Sequence, residues 1–121
     1  MEEETMTVRV LLVEDDPASL ELATEILSED GFVVFAATHG EQAVQLAKGK
    51  APDLVLLDLT LAGQGGLAVA LALKEDEATA HLPIVAVSGK RIEVKPPFAG
   101  YIAKPIQARQ FASQVRAFLD G

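Results

Sequence analysis

Acidic side chains stand at the ends of two apolar runs of the sequence. Glu14, Asp15 and Asp16 follow the run Val10–Val13, and Asp58 ends a second run that begins at Leu54. Apolar runs without alternation are typical of strands buried on both faces of a parallel sheet, where ligands bind beyond the carboxyl ends of the strands. Clustered carboxylates repel one another, and a cation stabilises such a cluster. The pattern therefore predicts a site for a hard divalent cation, Mg²⁺ above all.

The composition is that of a small acidic protein. The chain has 121 residues, with 18 Asp plus Glu against 10 Lys plus Arg and a net charge of −8, which disfavours direct binding to nucleic acid. It has no cysteine, no apolar run long enough to span a membrane, and no basic start followed by an apolar segment. We expect one cytoplasmic domain over residues 1–121, with residues 1–6 as a disordered tail.

Predicted strands and helices alternate along the chain. The predicted strands are Val8–Val13, Phe32–Ala36, Asp53–Asp58, Ile84–Ser88 and Tyr101–Lys104. The predicted helices run from Pro17 to Gly31, from Gly40 to Gly49, from Gly66 to Lys74 and from Gln107 to Leu119. Glycine and proline punctuate these segments, and Asp16-Pro17 is typical of a helix start, so Asp16 is interpreted as a cap rather than a metal ligand. Right-handed crossovers then predict a doubly wound α/β fold whose parallel sheet has helices on both faces.

Several of these strands end in residues that can do chemistry. Glu14 and Asp15 follow the first strand, Asp58 the third, Ser88 the fourth and Lys104 the fifth. Because the carboxyl ends of parallel strands lie at one edge of a sheet, we expect these side chains to converge.

These residues and their surroundings resemble the receiver domain of bacterial two-component response regulators. The likeness extends from Val8 to Leu119, and its motifs are Leu12–Pro17, Asp53–Leu59, Val87–Gly89 and Tyr101–Pro105. The resemblance implies a flavodoxin-like sheet of five parallel strands in the order 2-1-3-4-5. It also implies a phosphoacceptor rather than an enzyme, although such domains can catalyse their own phosphorylation and dephosphorylation.

The resemblance implies a role for each residue at the site. Asp58 would take a phosphoryl group from a histidine kinase or a phosphotransfer protein, since this chemistry needs a carboxylate nucleophile. Mg²⁺ would be held by Asp15, Asp58 and the backbone carbonyl of Thr60, with Glu14 acting mostly through a bound water. Lys104 would contact one oxygen of the phosphoryl group as a compact point charge.

The same resemblance implies a conformational switch. Ser88 would hydrogen-bond a phosphoryl oxygen, and Tyr101 would turn inward when the loop after the fourth strand moves. The Lys104-Pro105 bond matches a cis peptide of the family. Expected partners are the phosphodonor protein and a downstream output protein, with neither nucleic acid nor membrane bound directly, and the chain is expected to be a monomer or a weak dimer.

The sequence departs from the family between the fourth and fifth strands. Only twelve residues, Gly89 to Gly100, separate Ser88 from Tyr101, and they include Pro96-Pro97. Proline disfavours helix at itself and at the preceding residue, so the family's fourth helix is predicted to be a loop or a single turn. Receivers commonly dimerise or dock outputs through the surface around that helix, so the usual output mode is in question here.

Two other functions are compatible with parts of the sequence. A pseudo-receiver would keep the fold as an interaction module without signalling by phosphorylation, and the shortened segment favours it. A nucleotide-binding oxidoreductase is suggested by Gly63–Ala68, which fits G-x-G-x-x-A, but this stretch follows the third strand rather than the first. His39 and His81 stand apart from other metal-ligating residues and are interpreted as surface residues.

Overall fold

A computed structural model describes residues 7–61 and 65–120 of the chain. The predicted tail over residues 1–6 and residues 62–64 of the loop after Asp58 lie outside the described residues. Among the helices of the described ranges, none is both long and apolar enough to cross a membrane.

Five strands and four helices alternate along the described residues. In chain order they are β1 Arg9–Val13, α1 Pro17–Glu29, β2 Val33–Ala37, α2 Gly40–Lys50, β3 Leu54–Asp58, α3 Gly66–Glu75, β4 Ile84–Ser88, β5 Gly100–Ala103 and α4 Phe111–Asp120. The strands form one parallel sheet in the order β2-β1-β3-β4-β5. The predicted fold class and strand order are confirmed.

The inner strands are buried on both faces of the sheet. All five residues of β3 are buried, with Val55 and Leu57 in a core cluster shared with α2 and α3. Leu54 and Leu56 point to the opposite face, in a cluster shared with α1 and α4. This two-sided burial is why β3 appears in the sequence as an apolar run without alternation.

Asp16 caps α1, as predicted from its place before proline. Its carboxylate accepts hydrogen bonds from the amide and the hydroxyl of Ser19, at 2.9 and 2.7 Å, and Pro17 occupies the first turn. These bonds lower the pKa of Asp16. The cap sets the direction in which α1 leaves the end of β1, next to Glu14 and Asp15.

No helix forms between β4 and β5, where every residue from 89 to 99 is described. The Phe98 amide donates to the Lys95 carbonyl at 2.9 Å, and the Ala99 amide donates to the Ile84 carbonyl at 2.8 Å. Phe98 packs against the core cluster on the side of α2 and α3. The predicted loss of the family's fourth helix is confirmed. The segment in its place has no regular secondary structure and packs against the core through Phe98.

Some predicted boundaries were wrong by one to four residues. The last helix, α4, begins at Phe111 rather than Gln107, because the amides of Gln110 and Phe111 both donate to the Gln107 carbonyl in a preceding turn. Strand β5 ends at Ala103, so Lys104 follows the strand instead of closing it. Lys104-Pro105 is cis, as predicted, and Pro96-Pro97 is also cis.

We expect Gly66→Ala and Gly49→Ala to have opposite effects on stability. A Cβ at Gly66 would lie 2.7 Å from the Leu59 Cα and 2.8 Å from the Asp58 carbonyl oxygen, which are backbone atoms below the site. Overpacking of this kind should cost about 1 to 3 kcal/mol. A Cβ at Gly49 on α2 would meet nothing within 4 Å, so alanine there should stabilise by about 0.4 to 1 kcal/mol.

Urea unfolding of both variants checks this pair of expectations. A Gly66→Ala variant as stable as the wild type would contradict the close approach of α3 to the end of β3.

Candidate functional site

The register of the sheet brings four strand ends together. Asp58 pairs with Val87, and Ser88 pairs with Ala103, so the residues at the ends of β3, β4 and β5 lie side by side. Residues Glu14 and Asp15 follow β1, which is the other neighbour of β3. The predicted convergence at one edge of the sheet is therefore present in the structure.

Three carboxylates form a cluster at this edge. Glu14, Asp15 and Asp58 each place an oxygen within 4.8 Å of the others. Glu14 and Asp58 are buried, with 5% and 3% of their surface exposed, and Asp15 is half-buried. Hard oxygen ligands at this separation suit Mg²⁺, which takes one or two carboxylates and keeps several waters.

Lys104 brings a positive charge to the two buried carboxylates. Its ammonium lies 2.8 Å from Glu14 Oε1 and 3.4 Å from Asp58 Oδ2, with a quarter of the side chain exposed. The backbone fixes the lysine as well, because its amide donates to the Ser88 carbonyl at 2.9 Å. The ammonium therefore links the ends of β1, β3 and β5.

Backbone and hydroxyl donors hold the carboxylates in place. The Thr60 amide and hydroxyl both donate to Asp58 Oδ1 at 3.0 Å, and the Asp16 amide donates to Glu14 Oε2 at 3.1 Å. The Thr60 hydroxyl contact was not predicted from the sequence. The signal for it is a threonine two positions after a strand-end aspartate, a spacing at which short polar side chains bond locally.

Burial and hydrogen bonding shift the pKa values of the two buried carboxyls in opposite directions. Burial, the largest influence on Glu14, raises its pKa, and hydrogen bonds from Lys104 and from the Asp16 amide only partly offset it. Burial also acts to raise the pKa of Asp58, but the Thr60 donors, Glu14 and the charge of Lys104 together leave it lowered. Asp58 is thus the more readily ionised of the pair, as a nucleophile requires.

The charge on Lys104 is stabilised by the same contacts. Burial disfavours the ammonium, yet the hydrogen bond and the charge of Glu14, followed by those of Asp58, leave the pKa of Lys104 raised. The lysine therefore remains a cation throughout the neutral range.

Ser88 lies at the end of β4, and Tyr101 approaches it from the neighbouring strand β5. The Ser88 hydroxyl is buried and accepts a hydrogen bond from the Lys90 amide at 3.0 Å. The half-buried Tyr101 hydroxyl lies 3.5 Å from the Ser88 carbonyl oxygen. The two residues predicted to form a switch are therefore neighbours, with Ser88 at the end of β4 and Tyr101 near the start of β5, opposite Ala86.

The two histidines lie apart from this site on exposed positions, as predicted. His39 caps α2 by accepting a hydrogen bond from the Gln42 amide through Nδ1 at 3.4 Å. An apolar cavity of about 120 Å³ adjoins the acidic cluster between α1 and the segment after β5, and Leu22, Ile106 and Phe111 contribute to its wall.

The comparisons with known proteins agree with this geometry. The profile of the response regulator receiver domain matches residues 10–116. The polar-differentiation response regulator DivK of Brucella ovis is 32% identical over 120 residues, covering 94% of this chain and 98% of that protein. The DNA-binding response regulator MtrA of Mycolicibacterium smegmatis is 34% identical over 122 residues, which are 96% of this chain and 52% of MtrA.

Solved structures show the same fold. A putative response regulator from Chloroflexus aurantiacus has a TM-score of 0.86 at 25% identity, covering 96% of this chain and all of that one. The receiver domain of a sensor histidine kinase from Pseudomonas aeruginosa, solved with a magnesium ion coordinated in its active-site cleft, has the same TM-score and coverage at 22% identity. This chain belongs to the response regulator receiver domain family of two-component signalling proteins.

We expect Glu14→Gln to gain stability relative to the wild type as the pH rises. The raised pKa means that folded Glu14 holds its proton above the ordinary value of 4.5, so deprotonation between that value and the raised one destabilises the fold. Glutamine does not titrate and avoids this loss. In metal-free buffer, the free energy of unfolding of the variant minus that of the wild type should therefore increase from acidic to neutral pH.

Urea unfolding at a series of pH values measures this difference. The matched control is Glu25→Gln on the exposed side of α1. The same trend in both variants, or a flat difference for Glu14→Gln, would contradict the assignment.

Proposed function

We propose that the protein accepts a phosphoryl group on Asp58 from the phosphohistidine of a histidine kinase or phosphotransfer protein, in a Mg²⁺-dependent reaction. The observation that carries the proposal is a buried aspartate with a lowered pKa, which belongs to an acidic cluster and contacts a lysine at the carboxyl edge of the sheet. In the reaction, a bond forms between a carboxylate oxygen of Asp58 and phosphorus. The bond between phosphorus and the histidine nitrogen breaks, and the electron pair leaves with the imidazole.

The hydrogen bonds on Asp58 favour one oxygen as the nucleophile. Oδ1 accepts two hydrogen bonds from Thr60, whereas Oδ2 lies 3.4 Å from the Lys104 ammonium. Two donors withdraw electron density from Oδ1 and fix the plane of the carboxylate. Oδ2 is thus the better nucleophile, and it faces the ammonium that would meet the incoming phosphoryl oxygens.

The acidic cluster fits a bound Mg²⁺. Asp15, Asp58 and the Thr60 backbone carbonyl would ligate the ion, with Glu14 acting through water. When bound, Mg²⁺ supplies positive charge that offsets the charge on the equatorial oxygens of the transferring group. Lys104 acts from the other side of the same group, exchanging its contact with Asp58 for a phosphoryl oxygen.

Ser88 and Tyr101 are proposed to report phosphorylation to the rest of the domain. A phosphoryl oxygen would accept a hydrogen bond from the Ser88 hydroxyl, which now accepts from the Lys90 amide. Drawing the hydroxyl towards Asp58 pulls on the start of segment 89–99, and Tyr101 moves inward with it. Because this segment has no regular secondary structure, we propose that the conformational change on phosphorylation stays local. We also propose that the protein is a monomer or a weak dimer.

A pseudo-receiver is the second candidate function. It is favoured by the absence of a helix in residues 89–99, the element through which receivers commonly signal. The two candidates differ in whether Asp58 takes up phosphate.

We expect Asp15→Asn to weaken Mg²⁺ binding by about tenfold or more. Replacing even a residue that only supports a metal ligand typically lowers metal affinity by this factor. The change removes one of three clustered carboxylates while keeping the size of the side chain. Calorimetric titration with MgCl₂ measures the affinity. The matched control is Asp53→Asn, at the opposite end of β3, where the carboxylate accepts a hydrogen bond from the Arg9 amide. An unchanged titration for Asp15→Asn would rule out this set of ligands.

We expect the wild type to gain the mass of one phosphoryl group when incubated with acetyl phosphate and Mg²⁺, and Asp58→Asn to gain none. Asp53→Asn should behave as the wild type, and chelation of Mg²⁺ should abolish the gain. Intact-mass spectrometry gives the result. Equal phosphate uptake by Asp58→Asn would place the nucleophile elsewhere. Absence of uptake by the wild type, from acetyl phosphate and from a phosphorylated histidine kinase alike, would instead favour the pseudo-receiver.

A further inference from the structure

Helix α3 is apolar on its exposed side as well as its buried side. Its first eight residues, 66–73, are all Gly, Ala, Val or Leu. Val69, Ala70 and Leu73 are buried, but Leu67 is 53% exposed and Leu71 is 45% exposed. A helix that is apolar all round is typical of a covered element. The outer face of α3 thus has the composition of an interface.

An open groove runs between this face and the segment that replaces the family's fourth helix. One part, of about 340 Å³, is lined by residues that include Leu67 and Ile92, and the next part, of about 490 Å³, by residues that include Leu71 and Lys74. Both parts are bordered by Pro96–Phe98, so they are continuous. From Leu67 to Lys74 the groove follows α3 for about 10 Å, or two helical turns.

Segment 89–99, which borders the groove and is called its rim below, is basic although the protein is acidic, and of its charged residues Glu93 and Lys95 line the groove itself. Segment 89–99 carries Lys90, Arg91 and Lys95 against the single acid Glu93, a local charge of three minus one, or +2, on a chain of net charge −8. All three cationic side chains are exposed. The ion pairs found among residues 7–61 and 65–120 involve none of the three.

We propose that this groove binds an acidic amphipathic helix of a partner protein. Apolar side chains spaced four residues apart on that helix would pack against Leu67 and Leu71 on one side and Pro97 and Phe98 on the other. Carboxylates flanking the apolar stripe would meet the basic rim. The rest of the surface repels acidic chains, so the local positive charge directs such a helix to the groove.

A membrane surface fits the same features less well. Lipid-binding clusters typically carry four to eight basic residues, whereas this rim has three on a protein of net charge −8. The apolar surface is also a groove between two elements, which suits a rod-shaped ligand. An amphipathic helix is such a ligand.

A selection experiment on the full chain tests the proposal. The probe is a phage-displayed library of helical peptides with leucines fixed along one face and with Asp, Glu, Lys, Arg, Ser and Gln varied on both flanks. We expect enrichment of Asp and Glu on the flanks, and loss of that enrichment against the variant Leu67→Ser/Leu71→Ser. Enrichment of basic or neutral flanks, or equal recovery on that variant, would overturn the proposal.

Fluorescence anisotropy of the most enriched peptide separates the contribution of the apolar face of α3 to binding from that of the basic residues of segment 89–99. Leu67→Ser/Leu71→Ser and Lys90→Glu/Arg91→Glu/Lys95→Glu should each raise Kd by about tenfold or more. The matched controls are Leu22→Ser, a leucine 44% exposed on α1, and Arg109→Glu, an exposed cation outside the groove, and both should leave Kd unchanged. Circular dichroism confirms that each variant is folded. Equal losses in the controls would overturn the assignment.

Two further outcomes bear on the occupant, and a third separates this proposal from the proposed function. Flotation of the wild type with phosphatidylcholine and phosphatidylserine vesicles, abolished by the same groove variants, would replace the helix by a membrane surface. Self-association in sedimentation, abolished by those variants, would replace it by a second copy of the chain. Unchanged peptide binding by Asp58→Asn is expected, because the groove is formed without phosphorylation, and this result separates the present proposal from phosphate uptake by Asp58.

Discussion

The site depends on an ammonium group held between two buried carboxylates. Glu14 and Asp58 lie in the protein interior, where charges of the same sign are costly to place together. Lys104 reaches both of them from beyond the end of β5, although strand β4 lies between β5 and β3. Neighbouring strands lie about 4.8 Å apart, so the lysine must span about two strand spacings. The four-carbon stem of lysine makes this possible, and a shorter cation at position 104 would leave the carboxylates unpaired.

The positions of the strands also explain why the acid after β1 is a glutamate, Glu14, and the acid at the end of β3 is an aspartate, Asp58. Glu14 approaches from the far side of Asp58, and its extra methylene lets Oε1 reach the ammonium at 2.8 Å. Asp58 ends the strand between β1 and β4, and Thr60 holds one of its oxygens, so the other faces the ammonium. Binding Mg²⁺ at Asp15 and Asp58 would relieve the repulsion that Lys104 alone offsets in part. Metal binding and the position of Lys104 are therefore expected to be coupled.

The chain departs from other receivers on the face covered by α2 and α3. The segment between β4 and β5 is too short and too rich in proline to form a helix of the usual length, and Phe98 packs against the core in its place. This replacement leaves Leu67 and Leu71 exposed on the outer face of α3, beside a segment that carries three basic residues. The proposed chemistry at the carboxyl edge does not need a helix there, so the proposed acceptor site and the surface around segment 89–99 can change independently. The proposed groove is a consequence of that independence.

The order of residues along the chain is enough to predict which side chains end the strands and where helices cannot form. Apolar runs place Asp58 at a strand end, Asp16-Pro17 starts α1, and Pro96-Pro97 excludes a helix before β5, because these preferences are local. The pairing of Lys104 with Glu14, 90 positions apart, and the continuous groove beside Leu67 become visible only in the folded chain. Such contacts depend on the register between strands and on the side on which each segment packs. Local conformational preferences set neither the strand register nor the side of packing, because both are fixed only when distant parts of the chain pack together.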